Sequence, residues 1–123
     1  MGTFKRFEDI KAWQKARELT SLVYQITSDG SFAKDYGLRD QIQRSSVSIM
    51  ANIAEGYGRL SDKEFANFLN IARGSVAEVQ SHLYVALDLG YISSENISKH
   101  FELLEEIGRM IVALAKHLRG MHQ

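Results

Sequence analysis

Cysteine and proline are both absent from this chain of 123 residues. Without cysteine there is no disulfide, no thiolate nucleophile and no thiolate-bound zinc, which fits a reducing compartment. Without proline nothing forces a helix to break, so boundaries must be read from Gly, Ser and Asp. Charge of one sign is also missing. Fifteen basic residues balance fifteen acidic ones, which argues against a surface built wholly to grip nucleic acid or anionic lipid. No apolar run approaches the roughly 20 residues that span a bilayer, and the opening MGTFKRFEDIKAW lacks the apolar core of a secretory signal. These absences point to a soluble, cytoplasmic protein. Hydrophobic residues make up 45% and charged residues 24%, enough for one domain with a core and short for two.

What is present is helical periodicity. Ile10, Trp13, Ala16, Leu19, Val23 and Ile26 place a first helix at about residues 9–28, followed by the turn Ser28-Asp29-Gly30-Ser31. A second helix is predicted at about 36–57. Ser61-Asp62-Lys63-Glu64 is a capping box that opens a third at about 62–89, with Gly90 as its stop. Ser93 or Ser94 caps a fourth at about 94–119, striped by Ile97, Phe101, Leu104, Ile107, Ile111, Leu114 and Leu118. Short connections favour antiparallel neighbours. The expected fold is therefore all-α, a single domain over residues 1–123 folded as an antiparallel up-down-up-down four-helix bundle.

The second helix has one unusual face. Gln41, Ser45, Ser48, Asn52, Glu55 and Arg59 recur every three or four residues in a line. Beside them run Leu38, Ile42, Ile49, Ile53 and the small Ser46 and Gly56. An exposed face would carry Lys and Glu; Ser, Asn and Gln suit specific hydrogen bonds between closely packed helices. A tight connection around Leu60 makes facing residue numbers sum to about 120. Asn52 then lies level with Phe68, Ser48 with Ala72 and Arg44 with Val76, and Glu78 falls near Gln41 and Arg44. A partly buried Arg44–Glu78 ion pair is expected.

Chemistry finds few handholds. No His has Glu three positions before it, so the di-iron pattern of bundles is missing. P-loop and dinucleotide patterns are absent as well. No cofactor, metal site or small-molecule substrate is expected. A basic cluster of Lys5, Arg6, Lys11, Lys15 and Arg17 gives residues 1–60 a slight positive excess.

The pattern Phe7…Trp13…Ala16…Leu19…Tyr24, Tyr36-Gly37-Leu38…Gln41-Ile42…Arg44, SIMANIAEG from Ser48 to Gly56, IARGSVAE from Ile71 to Glu78, and Leu89-Gly90-Tyr91-Ile92 resembles the bacterial four-helix bundle proteins related to those encoded in 23S rRNA intervening sequences. The resemblance spans nearly the whole chain. One departure is Ala33, where family members often carry Pro after the loop Phe. The resemblance implies a cytoplasmic protein that assembles into a homopentameric ring, in a family with no established enzyme activity; with the polar seam and its small residues, the expected role is a non-catalytic scaffold or binding protein that contacts RNA or a ribonucleoprotein. A distant relative, the accessory variability determinant of diversity-generating retroelements, binds reverse transcriptase and RNA through a basic surface; that role is the alternative, which the neutral charge of this chain ranks second. A further alternative is an enzyme using the Glu55/Glu78 seam.

Overall fold

The computed structural model describes residues 4–120. A single 3-10 turn, Phe7–Asp9, leads into α1, Lys11–Ile26. A short helix α2, Gly30–Lys34, precedes three long ones: α3 at Tyr36–Tyr57, α4 at Asp62–Asp88 and α5 at Ser94–Gly120. No described residue lies in a strand.

Local signals explain most of the boundaries. The Ser61 hydroxyl accepts from the Glu64 amide at 3.1 Å, satisfying one of the free donors at the start of α4. The reciprocal half of the box differs from expectation: the Ser61 hydroxyl itself donates to the Glu64 carboxylate, at 3.4 Å. Gly90, with φ of 77°, ends α4. Its amide bonds to the Leu87 carbonyl and the Tyr91 amide to the Ala86 carbonyl, the paired bonds of a Schellman motif that only a left-handed residue permits cheaply. Ser93 caps α5, accepting from the Asn96 amide at 3.1 Å.

The start of α1 lies two residues later than periodicity suggested. Asp9 belongs to the 3-10 turn, where its carboxylate accepts from the Lys5 amide at 3.3 Å. Residues 30–34, expected as turn and loop, form α2. This helix carries Phe32 into the core, 2% exposed, where its ring stacks on Tyr91 at 5.3 Å between centroids. The Tyr91 hydroxyl donates to Asp35 at 3.0 Å, and the other carboxylate oxygen of Asp35 caps α3 through the Leu38 amide. One aspartate thus ties the α2–α3 corner to the α4–α5 corner.

The four long helices enclose one core. α1 packs on α3 and α5, and α4 packs on α3 and α5. Direction follows from the contacts. Residue 20 of α1 and residue 27 just past its end meet 46 and 43 of α3. Ser48 and Gly56 of α3 meet Ser75 and Phe68 of α4. Tyr84 of α4 stacks near Phe101 of α5, and Val76 lies beside Gly108. In each pair one number rises as the other falls, so these neighbours run antiparallel.

The α3–α4 register differs from the expected sum of 120. Ser48 faces Ser75, not Ala72, and Phe68 faces Gly56, not Asn52. Helical side chains lean toward their own N-terminus, so a contact point is covered by a residue about one position further along each chain. In an antiparallel pair the two offsets add, and the sum moves up.

Candidate binding surfaces on the bundle

The serines of α3 fold back on their own helix. Ser45 and Ser46 are buried; Ser45 donates to the Gln41 carbonyl at 2.9 Å and Ser46 to the Gln43 carbonyl at 2.9 Å. Such bonds satisfy a buried hydroxyl without a partner helix. Ser48 reaches across instead. Its hydroxyl lies 2.9 Å from that of Ser75. The Asn52 amide donates to the Ser48 carbonyl at 2.8 Å and to its hydroxyl at 3.0 Å. Ser48, Asn52 and Ser75 therefore form a small polar net where α3 meets α4.

Gly56 makes that approach possible. A Cβ placed there would lie 2.7 Å from the Phe68 Cβ and 2.9 Å from the Phe65 ring, closer than carbon atoms pack. One turn on, Glu55 accepts from Arg59 at 2.7 Å on the surface, and the Arg59 guanidinium sits 4.7 Å from the centre of the Phe68 ring.

The expected Arg44–Glu78 ion pair is a correction. Both residues are exposed, and no ion pair within 4.0 Å joins them. They stand with Gln41, Ser45 and Ser48 around a shallow cleft of about 290 Å³. Level matching brought them close in height but did not fix their side. Each precedes a buried residue, Ser45 or Val79, by one position, a rotation of about 100° that turns it outward. Gln41 is likewise exposed.

The basic cluster of the N-terminal region is offset by acids at two of its five positions. Arg6 pairs with Asp9 at 3.4 Å. Lys15 lies 4.0 Å from Glu18 and 3.6 Å from Glu106. Arg17 lies over Trp13, 5.8 Å from the ring centre. Lys5 and Lys11 are exposed.

Unpaired cations also gather in a groove of about 660 Å³ between α4 and α5. Val76, Leu104 and Val112 lie in its lining, and Gly108 leaves it open. Arg73, Arg109 and Lys116 stand around it with one carboxylate, Glu105. Among the described residues none of these three cations makes an ion pair within 4.0 Å. Sequence reading missed this groove because its cations come from two separate helices; the local hint was the set of small residues Ala77, Gly108 and Ala113 at outward positions.

A second missed residue is His100, fully buried on α5. Its Nδ1 lies 2.8 Å from the Asn96 carbonyl, and its Nε2 has no hydrogen-bond partner. Burial, and to a lesser degree the charge of Lys99, pushes its pKa below 6.5, while the Asn96 carbonyl pulls the other way. Among the described residues no group of three His, Asp or Glu side chains is placed to hold a metal ion. No described helix is long and apolar enough to cross a membrane.

Four long helices closed over one core, with a polar net at α3–α4 and an open groove at α4–α5, define an all-helical bundle. The chain belongs to the family of the 23S rRNA-intervening sequence protein, which matches residues 8–113. Among solved structures it is similar to a protein of unknown function from the S23 ribosomal protein family of Bacteroides thetaiotaomicron. The two are 27% identical, with a TM-score of 0.77 over 85% of this chain and 98% of that one. No curated protein matches the chain. The two segments that carry the family resemblance meet in space. SIMANIAEG supplies Ser48, Asn52 and Gly56 and IARGSVAE supplies Ser75, and Ser48 bonds to Ser75 across the α3–α4 contact.

Proposed function

We propose that the protein is a non-catalytic, cytoplasmic binding or scaffold protein that works as a small homo-oligomeric ring, five-membered by family resemblance, and contacts RNA or a ribonucleoprotein. The observation that supports this reading is a division of labour between the two edges of α4. Where α3 and α4 meet, Ser48, Asn52 and Ser75 are used by one another, while the α4–α5 groove presents an apolar floor and three unpaired cations outward. Polar groups satisfied inside a contact hold a fold together. Apolar surface rimmed by unpaired charge is suited to a partner.

Two measurements on the purified protein test this. Light scattering should give one discrete mass above that of the 13.9 kDa chain. Pull-down from cells, with bound RNA and protein identified, should recover a defined RNA whose retention falls as salt rises. A monomer at micromolar concentration removes the ring. RNA recovery no greater than that of a neutral control protein removes the RNA contact.

A further inference from the structure

We propose that copies of this chain join head to tail through two different faces of α4. The groove between α4 and α5 of one copy receives the ridge Glu64, Ile71, Glu78 and Val85 of the next. This rests on the oligomer reading above and adds the surfaces that mate.

The ridge follows from spacing. Glu64, Ile71, Glu78 and Val85 are seven residues apart in turn, and seven residues are close to two helical turns, so they fall nearly in one line along about 30 Å of α4. All four are exposed, Ile71 at 53% and Val85 at 43%. The line lies on the side of α4 that faces α3, beside Ser75. Neither acid makes an ion pair within 4.0 Å. The cations nearby are few: Arg59 is held by Glu55, and Arg44 shares the cleft with Glu78. Gly74, next to the line, has nothing within 4 Å of the place a Cβ would take, so another helix can come close to the α4 backbone there.

The groove presents the complementary chemistry. Its apolar floor suits Ile71 and Val85, and Arg73, Arg109 and Lys116 suit Glu64 and Glu78. An apolar floor rimmed by cations fits an acidic amphipathic helix better than a bare phosphate chain, which would leave the floor wet. The chain carries such a helix edge on α4 itself. Because ridge and groove are different faces, each copy offers one of each, and the contact repeats in one direction. Such a contact closes into a ring where the rotation from copy to copy divides a full turn, and otherwise runs on as a filament.

Gly108→Phe blocks the groove, since a Cβ at that position meets only a Val76 methyl, at 4.0 Å, and the side chain has room to project outward. Ile71→Ser with Glu78→Ala strips the ridge. Each variant alone should be monomeric by light scattering. Mixed in equal amounts, they should form a one-to-one dimer and nothing larger, because the stripped variant keeps its groove and the blocked variant keeps its ridge. Arg73→Glu with Arg109→Glu, at exposed positions, is a second groove variant that should also be monomeric and guards against a folding defect in the first. If the wild-type chain is itself a monomer, the oligomer reading fails. If the wild type is an oligomer and both groove variants keep its mass, the oligomer stands and this pairing is overturned. The pairing is likewise overturned if the groove variants keep their mass and lose bound RNA, which assigns the groove to nucleic acid. If both single variants are monomers and the mixture stays monomeric, the faces do not pair with each other.

Discussion

Helix α4 is flanked by two neighbours and treats them differently. Against α3 it closes tightly: Gly56 lets Phe65 and Phe68 into contact, and Ser48, held by Asn52, bonds across the junction to Ser75. Against α5 its outer edge stays open, with Gly108 and three unpaired cations around an apolar floor. Both edges use glycine. In the first the missing side chain is filled by a neighbour of the same chain; in the second it leaves room outside. Small residues in a helix therefore mean opposite things according to what stands over them.

The largest expected effect breaks the tight side. Gly56→Ala should cost about 2 kcal/mol in urea or thermal unfolding, the overpacking penalty against Phe68 less the gain in helix propensity. Gly108→Ala, with space around it, should be neutral or stabilise by about 0.5–1 kcal/mol. Equal effects at the two positions would erase the contrast. Next is the polar net. Ser48→Ala leaves Ser75 without its partner and should cost about 1 kcal/mol. The double change Ser48→Ala with Ser75→Ala should cost less than the sum of the single changes, a coupling read by a double-mutant cycle.

A third expectation concerns His100. Its pKa in the folded chain is below the unfolded value of 6.5. Below pH 6.5 the unfolded chain takes up the proton first, so stability falls as pH falls toward the folded pKa and levels off beneath it. His100→Leu should flatten that part of the stability–pH curve; an unchanged slope would assign it to other groups. The smallest effect is at the cleft of Arg44 and Glu78. Arg44→Ala should change stability by less than about 0.5 kcal/mol, since the residue is exposed and unpaired. A loss of about 3 kcal/mol, the scale of a broken buried pair, would restore the ion pair that the structure lacks.

The parts of the fold that were legible in the sequence are those with local signals. Periodic Ile and Leu placed all four long helices, Ser61 and Gly90 marked ends that the structure keeps, and of the two candidate caps Ser93 and Ser94 the structure uses Ser93. What escaped depends on residues far apart in sequence. Helix α2 is only five residues long, and Phe32 is drawn in by Tyr91, which no local pattern reveals. His100 lies on the buried stripe of α5, yet a histidine there reads as polar until its neighbours are known. The seam was legible as a packing surface because Ser48, Asn52 and Gly56 share one face. The side on which Arg44 and Glu78 project was not, because level fixes height along a helix and leaves rotation open. The groove was invisible for a related reason: Arg73 and Arg109 become neighbours only once α4 and α5 pack.

The contrast between the two edges of α4 reduces to one measurement: the melting temperature of wild type, Gly56→Ala and Gly108→Phe over a hundredfold range of protein concentration. Association that favours the folded state makes the melting temperature rise with concentration. Wild type should rise, Gly56→Ala should run parallel below it, and Gly108→Phe should stay flat. A flat Gly56→Ala beside a rising Gly108→Phe would contradict the assignment, placing the subunit contact at the α3–α4 seam and the groove outside it.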